Sequence, residues 1–528
     1  MMRRLIIATF LLAAGAGVAA AADGDSHWDG RVRLGGIYFD ETGDATTMPE
    51  TYNVYDGFSL SSLYLKGYTD PRTHLLLDLT NINQDARRGN LDFRRSGMLH
   101  LTSRYNESRW IFDPAGTVDA NRKNWYSSLS VTPSKSLWFS ANYGLQMRDG
   151  DRIGLTTGPE GWLGTQYDSK LHSYRLEAQA RNSSGIGGTV AYDGVAQRDA
   201  LNPDRERDGY VASANLNVSG LMTDRITHVV RGAIGRNEVR TSGLGFDLKS
   251  VQYTGVVRAT DYLRLKYRFD GSHVDDEATT IRTDDYHHDI DATVNYRIAV
   301  ISAGYGWEAL DDDRAITTTN KFRGALSLRH PKNKVSGRIA FDTRNKDDKE
   351  ATTLLRDTEY SRVDVRVDAN PTGAVAVGAR FSDRTRDLPD LGTTADGTMV
   401  TAYGAWHQLA GDDAIAVTEV GVDYTFADDE YGNLYGSEHI VTHVVTGRVG
   451  VTVFENLDLT GAVTYLSASE DLDLDKSIIS VGAGYHFPRG FLADVKYNVY
   501  NYDDYLLTDR FYTANVVWFN VGYEFSTR

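Results

Sequence analysis

Apolar and polar residues alternate with a period of two along nearly the whole chain. The stretch Tyr262 to Asp270, YLRLKYRFD, is the clearest case. Leu263, Leu265, Tyr267 and Phe269 fall on one face of an extended chain, and Arg264, Lys266, Arg268 and Asp270 on the other. The same phase recurs in Arg362–Asp368, where Val363, Val365 and Val367 oppose Arg362, Asp364, Arg366 and Asp368. In Gly337–Arg344, Ile339 and Phe341 oppose Arg338, Asp342 and Arg344. Tyr174, Leu176, Ala178 and Ala180 oppose Arg175, Glu177, Gln179 and Arg181, and Val495, Tyr497 and Val499 oppose Asp494, Lys496 and Asn498. A pattern of this kind repeated end to end predicts an all-β protein, a single transmembrane antiparallel β-barrel. A charge facing lipid costs roughly 2–4 kcal/mol at the midplane, so the charged face is predicted to line the lumen.

Turn signals divide the pattern. Tight turns are predicted at Asp70–Pro71–Arg72, Tyr105–Asn106–Glu107, Thr132–Pro133–Ser134, Ser183–Ser184–Gly185, Leu221–Met222–Thr223 and Thr260–Asp261. The series continues at Tyr296–Arg297, Pro331–Lys332–Asn333, Asn370–Pro371–Thr372, Gly411–Asp412–Asp413, Glu455–Asn456 and Pro488–Arg489. Successive turns are far enough apart for two membrane strands of ~10 residues, and the series yields about 26 strands with both ends on one side. Between the tight turns lie longer, acidic loops, such as Asp311–Asp312–Asp313, Asp347–Asp348, Asp428–Asp429–Glu430, Glu470–Asp471 and Asp503–Asp504. The usual asymmetry makes the short turns periplasmic and the acidic loops extracellular. Trp110, Trp125, Trp138, Trp307 and Trp406, near strand ends, suit interfacial girdles. The final run Val517–Phe525 has the aromatic alternation of a closing barrel strand.

The amino terminus fits export. Arg3 and Arg4 precede an apolar run from Leu5 to Ala20, and Ala19 to Ala22 offer a small-residue cleavage site. Residues 1–22 are therefore expected to be a signal peptide and residues 23–528 an outer-membrane barrel of a Gram-negative bacterium. No later segment reaches the ~20 apolar residues of a membrane helix. The mean hydropathy of −0.40 reflects dilution of the lipid face by every second, inward residue.

Composition narrows the chemistry. The formal net charge of −16 argues against nucleic acid as a partner. With no cysteine, the chain has no disulfide, no thiolate metal site and no covalent haem attachment of its own. No catalytic motif stands out, so the chain is not expected to be an enzyme. His287–His288 beside Asp284, Asp285 and Asp289 reads as part of a solvated acidic loop rather than a metal site, and no calcium-loop motif is present. The basic clusters Arg87–Arg88, Arg94–Arg95 and Arg384–Thr385–Arg386 read as strand or loop ends.

Width carries more information than any motif. Barrels of 16–18 strands leave an aqueous channel and 22-stranded ones are plugged, so about 26 strands imply a lumen that something must fill. The polar loops from Glu41 to about Asp56 and from Asp149 to Ser169 are too small for that, at about 20 residues or fewer. A separate protein is the expected occupant. The candidate partner-facing residues are Arg175, Glu177, Arg264, Lys266, Arg268, Asp270, Arg338, Asp342, Arg344, Arg362, Asp364, Arg366, Asp368, Asp494 and Lys496.

The stretch YDGFSLSSLYLKGYTDPRTHLLLDLTNINQDARRGNLDFRRSGMLHLTSRYNES resembles the first strands of MtrB/PioB-type decahaem-associated outer-membrane proteins. So does NWYSSLSVTPSKSLWFSANYGLQMRDGDRIG, and the likeness is strongest over Tyr55–Gly154. It implies a barrel that sheathes a periplasmic multihaem c-type cytochrome, with a further multihaem cytochrome docked outside. The haem is carried by the partner, and the pair conducts electrons across the outer membrane for extracellular electron transfer. Some members carry an N-terminal C-x-x-C, which this cysteine-free chain lacks. A general or substrate-specific porin is the competing reading, with the same charged rows setting the field on solutes.

Overall fold

Alternating Val, Tyr, Leu and Phe with charged residues builds long strands, because β-branched and aromatic side chains pack well on a pleated surface. The computed structural model describes residues 27–113, 115, 118–152, 165–219, 225–313, 315–330, 334–348, 357–408, 415–433, 436–508 and 510–527. Its first strands are β1 (His27–Gly43), β2 (Gly57–Asp70), β3 (Thr73–Thr80), β4 (Arg88–Arg95), β5 (Leu99–Ile111), β6 (Asp119–Ser134), β7 (Leu137–Arg152), β8 (Thr165–Arg181) and β9 (Ile186–Asp199). Next come β10 (Arg207–Ser219), β11 (Ile226–Val239), β12 (Gly245–Arg258), β13 (Leu263–Asp276), β14 (Arg282–Tyr296), β15 (Ala299–Asp312), β16 (Ala315–His330), β17 (Val335–Asp348) and β18 (Thr358–Ala369). The wall is completed by β19 (Val375–Leu388), β20 (Thr393–His407), β21 (Ile415–Asn433), β22 (Gly436–Val453), β23 (Leu457–Glu470), β24 (Leu474–His486), β25 (Phe491–Asp504) and β26 (Phe511–Thr527).

These 26 strands form one sheet in which each pairs antiparallel with its sequence neighbours. The last closes on the first in unbroken register from Trp28↔Thr527 to Gly43↔Tyr512. Closure satisfies both edges, so no unpaired strand faces the bilayer. The aromatic run at the carboxyl end therefore serves as the seam. The predicted leader lies outside the described residues.

Cross-strand partners share a face, so the register sorts every position. Ile339, Val365 and Phe381 are successive partners on one face, and Ala340, Asp364 and Ser382 on the other. The apolar face is displayed rather than buried: Leu176, Ile290 and Ile339 are each more than half exposed. An apolar belt of this extent around a closed wall is a lipid-contact surface. On this outer face Tyr174, Tyr192 and Tyr210 stack at 6.0 Å centroid spacing. Gly194 makes the stack possible, since a Cβ there would sit 2.1 Å from the Tyr174 ring. Gly194→Val is expected to destabilise the folded barrel by about 1–3 kcal/mol through overpacking, measured as a lower urea midpoint in vesicles. An unchanged midpoint would show that the tyrosines reorient freely.

Nearly all the turn positions that can be compared agree with expectation, but one is displaced. Tyr105–Glu107 is not a turn; these residues run inside β5, and the reversal lies at 96–98. The YNE sequence imitates a turn, whereas Gly97, at φ 75°, supplies the left-handed residue the reversal needs. The turns expected at 221–223, 331–333 and 411–413 lie outside the described residues. The acidic loops are shorter than expected, because the strands continue past the apolar belt. Asp311 and Asp312 end β15, Asp428 to Glu430 lie within β21, and Asp503 and Asp504 end β25. Asp149 to Arg152 likewise belong to β7, and Thr165 to Ser169 to β8.

Candidate functional site: the lumen wall

β3 and β4 are short, which leaves a notch in the rim at the end opposite the two termini. The segment 44–56 folds across it. Met48 is fully buried with Ala45 against Tyr502, Tyr512 and Ala514, all on inward positions of β25 and β26. Asp44 caps a single 3₁₀ turn by accepting from the Thr46 N–H at 2.9 Å. Glu50 accepts from Lys476 Nζ on β24 at 2.7 Å, and Asn53 Oδ1 takes the Arg109 N–H on the free upper edge of β5 at 2.6 Å. Tyr52 packs edge-on against Trp110 at 6.4 Å. Burial pushes the Tyr55 phenol up to about 12, which keeps it a neutral partner for Arg109. This segment, rather than an open loop, shapes one side of the mouth.

The expected partner-facing residues all fall on the inward face defined by the register. Many carry their own counter-charge at i+2, the same-face neighbour on a strand. Arg175 contacts Glu177 at 2.7 Å and Asp193 on β9 at 3.0 Å. Arg268 lies 2.5 Å from Asp270, Arg362 lies 2.8 Å from Asp364, and Arg366 lies 2.7 Å from Asp368. Asp494 joins Arg33 of β1 at 3.5 Å and accepts from Asn520 at 2.8 Å. Arg264, Lys266, Arg338, Arg344 and Lys496 make no ion pair with another described residue and point into open lumen.

Several inward groups were not singled out from the sequence. Arg323 of β16 bridges Asp289 at 3.1 Å and Asp291 at 2.8 Å on β14, reaching across Gly304 and Gly306 of β15. Lys321 meets Glu308 at 2.6 Å, and Arg380 meets Asp364 at 3.2 Å. The alternation Lys321, Arg323 around Phe322 was a readable signal for two of these; the pairing across β15 was not.

His287 and His288 lie within β14 rather than in a loop, and they point to opposite faces. His287 faces the lumen near Asp289 at 3.3 Å, while His288 packs at a tilt between Phe269 and Trp307 on the outer face. Adjacent strand residues cannot converge on one ion, and no cluster of metal-ligating side chains occurs among the described residues. Trp125, Trp307 and Trp406 face outward as girdle residues. Trp110 and Trp138 face the lumen instead, Trp110 beneath the Arg122 guanidinium at 4.7 Å.

Charge is segregated. At the acidic rim, above the apolar belt, Glu277 is held below the ordinary glutamate range by hydrogen bonds from Arg236. Inside, β16 to β19 are basic. β16 contributes Lys321, Arg323 and Arg329; β17 contributes Arg338, Arg344 and Lys346 against Asp342 and Asp348. β18 contributes Arg362 and Arg366 against Asp364 and Asp368; β19 contributes Arg380, Arg384 and Arg386 with no inward carboxylate. Eleven inward cations thus face four inward carboxylates in a chain whose overall charge is −16.

No protein-family model matches the sequence, and no curated protein is significantly similar to it. Solved structures do match. A mutant of the ferric enterobactin receptor PfeA from Pseudomonas aeruginosa superposes with a TM-score of 0.54 at 7% identity, over 95% of this chain and 81% of the receptor. The FrpB iron transporter from Neisseria meningitidis gives 0.52 at 8% identity, over 96% of this chain and 83% of that one. The chain is a Gram-negative outer-membrane β-barrel. At such low identity the likeness is one of fold.

Proposed function

We propose that the barrel is the insulating sheath of a transmembrane electron conduit of the MtrB/PioB type. Its lumen holds a periplasmic multihaem c-type cytochrome, with a second multihaem cytochrome docked at the outer mouth. The carrying observation is the size of the closed wall. Twenty-six strands at ~4.8 Å spacing and ~40° tilt enclose a cylinder roughly 50 Å across, or about 40 Å inside the side chains. A compact 100-residue domain is about 33 Å across, so a folded protein fits. The described connections are too short to fill that space; the segment 44–56 covers only one side of the mouth. A lining rich in polar and charged side chains suits a folded protein's solvated surface, and the apolar belt keeps the haem chain away from lipid. The role is to bind and insulate, with redox chemistry carried by the partner's haem.

The test is purification of the full-length barrel from its native membrane in mild detergent. The expected result is a stoichiometric haem protein, seen by absorption spectrum and haem stain. A haem-free barrel with large single-channel conductance would overturn the sheath. That outcome would favour the porin reading, which the basic wall of β16 to β19 supports by selecting anionic solutes.

A further inference from the structure

Within the basic wall, Arg338 of β17 lies directly opposite Arg366 of β18, which lies directly opposite Arg380 of β19. Ser327 and Thr401 flank this three-arginine ladder. Like charges directly opposite one another destabilise a sheet. Arg362 opposite Arg384, and Lys321 opposite Arg344, repeat the arrangement two and three inward rungs higher. Other lumen charges are answered across strands: Asp289 and Asp291 of β14 are met by Arg323, and Asp193 by Arg175. On β16 to β19 cations outnumber carboxylates: Arg366 pairs with Asp368, Arg380 shares Asp364 with Arg362 and Arg384 reaches Asp429 of β21, while Arg338 and Arg344 pair with no described residue. Arg366 is 63% exposed, Arg384 56% and Arg380 46%.

We infer that the inner face of β16 to β19 is the docking surface for an Asp/Glu-rich face of the protein that fills the lumen, with the Arg338–Arg366–Arg380 ladder at its centre. The inference rests on the sheath reading and adds to it the orientation of the occupant. The geometry favours a protein surface over a small anion. The arginines spread sideways over three strands, with rungs at the ~4.8 Å strand spacing, on an open wall rather than around a pocket. Guanidinium forks engage carboxylates two bonds at a time, so a row of them fixes register as well as sign. Local frustration of this kind, at odds with the sheet's own stability, is expected at a functional surface.

The experiment uses the full-length barrel expressed with its native partner. Wild type, R338Q/R366Q/R380Q and the outer-face control R198Q are purified, and haem per barrel is followed through a salt wash. Heat-modifiable migration confirms that each barrel is folded; the triple variant relieves repulsion and is expected to fold. The expected result is at least about a tenfold loss of haem per barrel in the triple variant at a salt concentration that wild type and R198Q withstand. Retention at the wild-type ratio through the wash overturns the docking surface while leaving the sheath intact. Retained haem together with lost anion selectivity in the bare barrel would assign the ladder to small solutes instead. A wild-type barrel without haem overturns both readings.

Discussion

Val365→Arg is expected to lower the stability of the folded barrel by about 2–4 kcal/mol, while Ala340→Arg, one strand away, stays within about 1 kcal/mol. Val365 sits between Ile339 and Phe381 on the lipid face, near the middle of the apolar belt. An arginine there must carry its charge into hydrocarbon or distort the bilayer to reach water. Ala340 is opposite Asp364 on the lumen face, where a guanidinium remains solvated and meets a carboxylate. The pair tests the assignment of faces directly. Urea unfolding in lipid vesicles, followed by tryptophan fluorescence, supplies the comparison, and equal midpoints for the two variants would refute it.

Tyr512→Ala is expected to release the segment 44–56 at a cost of about 3–5 kcal/mol, the usual range for deleting a buried aromatic ring. Tyr512 is 1% exposed in the cluster that holds Ala45 and Met48. Its hydroxyl lies 2.7 Å from Glu41 Oε2 and 2.8 Å from Thr51 Oγ1. Tyr512→Phe keeps the ring and loses only the hydroxyl contacts, for a smaller loss of about 1 kcal/mol. Because the ring anchors a loop on a wall that stands by its own ladders, the effect should be local. Hydrogen exchange across 44–56 should speed up strongly in the alanine variant while the strands stay protected. Uniform loss of protection through β25 and β26 would mean that the segment supports the wall itself.

The lumen candidates were legible because a strand offers only two faces. Once Val363, Val365 and Val367 are assigned to lipid, Arg362, Asp364, Arg366 and Asp368 have nowhere else to point. Intra-strand pairs such as Arg175–Glu177 could be read from i and i+2 alone. Pairs that span strands could not, because they depend on register. Nothing in the order of residues says that Arg323 reaches Asp289, 34 positions away. The like-charge ladder is hidden for the same reason: Arg338, Arg366 and Arg380 become neighbours only when three strands are aligned.

By itself, then, the sequence determined the fold class, the strand count and the facing of the alternating charged rows, because period-two alternation and turn chemistry are local properties. It also misplaced several features: Trp110 and Trp138 line the lumen, acidic residues read as loops extend the strands, and two further cases have a clear physical cause. YNE looked like a turn although the backbone there is extended, and His287–His288 looked like a loop although alternation puts the two rings on opposite sides of a wall. Only the tertiary structure decided where strands outrun the membrane, how segment 44–56 folds back into the mouth, and how charge is shared around the lumen. Those features depend on contacts between residues far apart in the chain, and register, which sets them, is a property of the closed sheet as a whole.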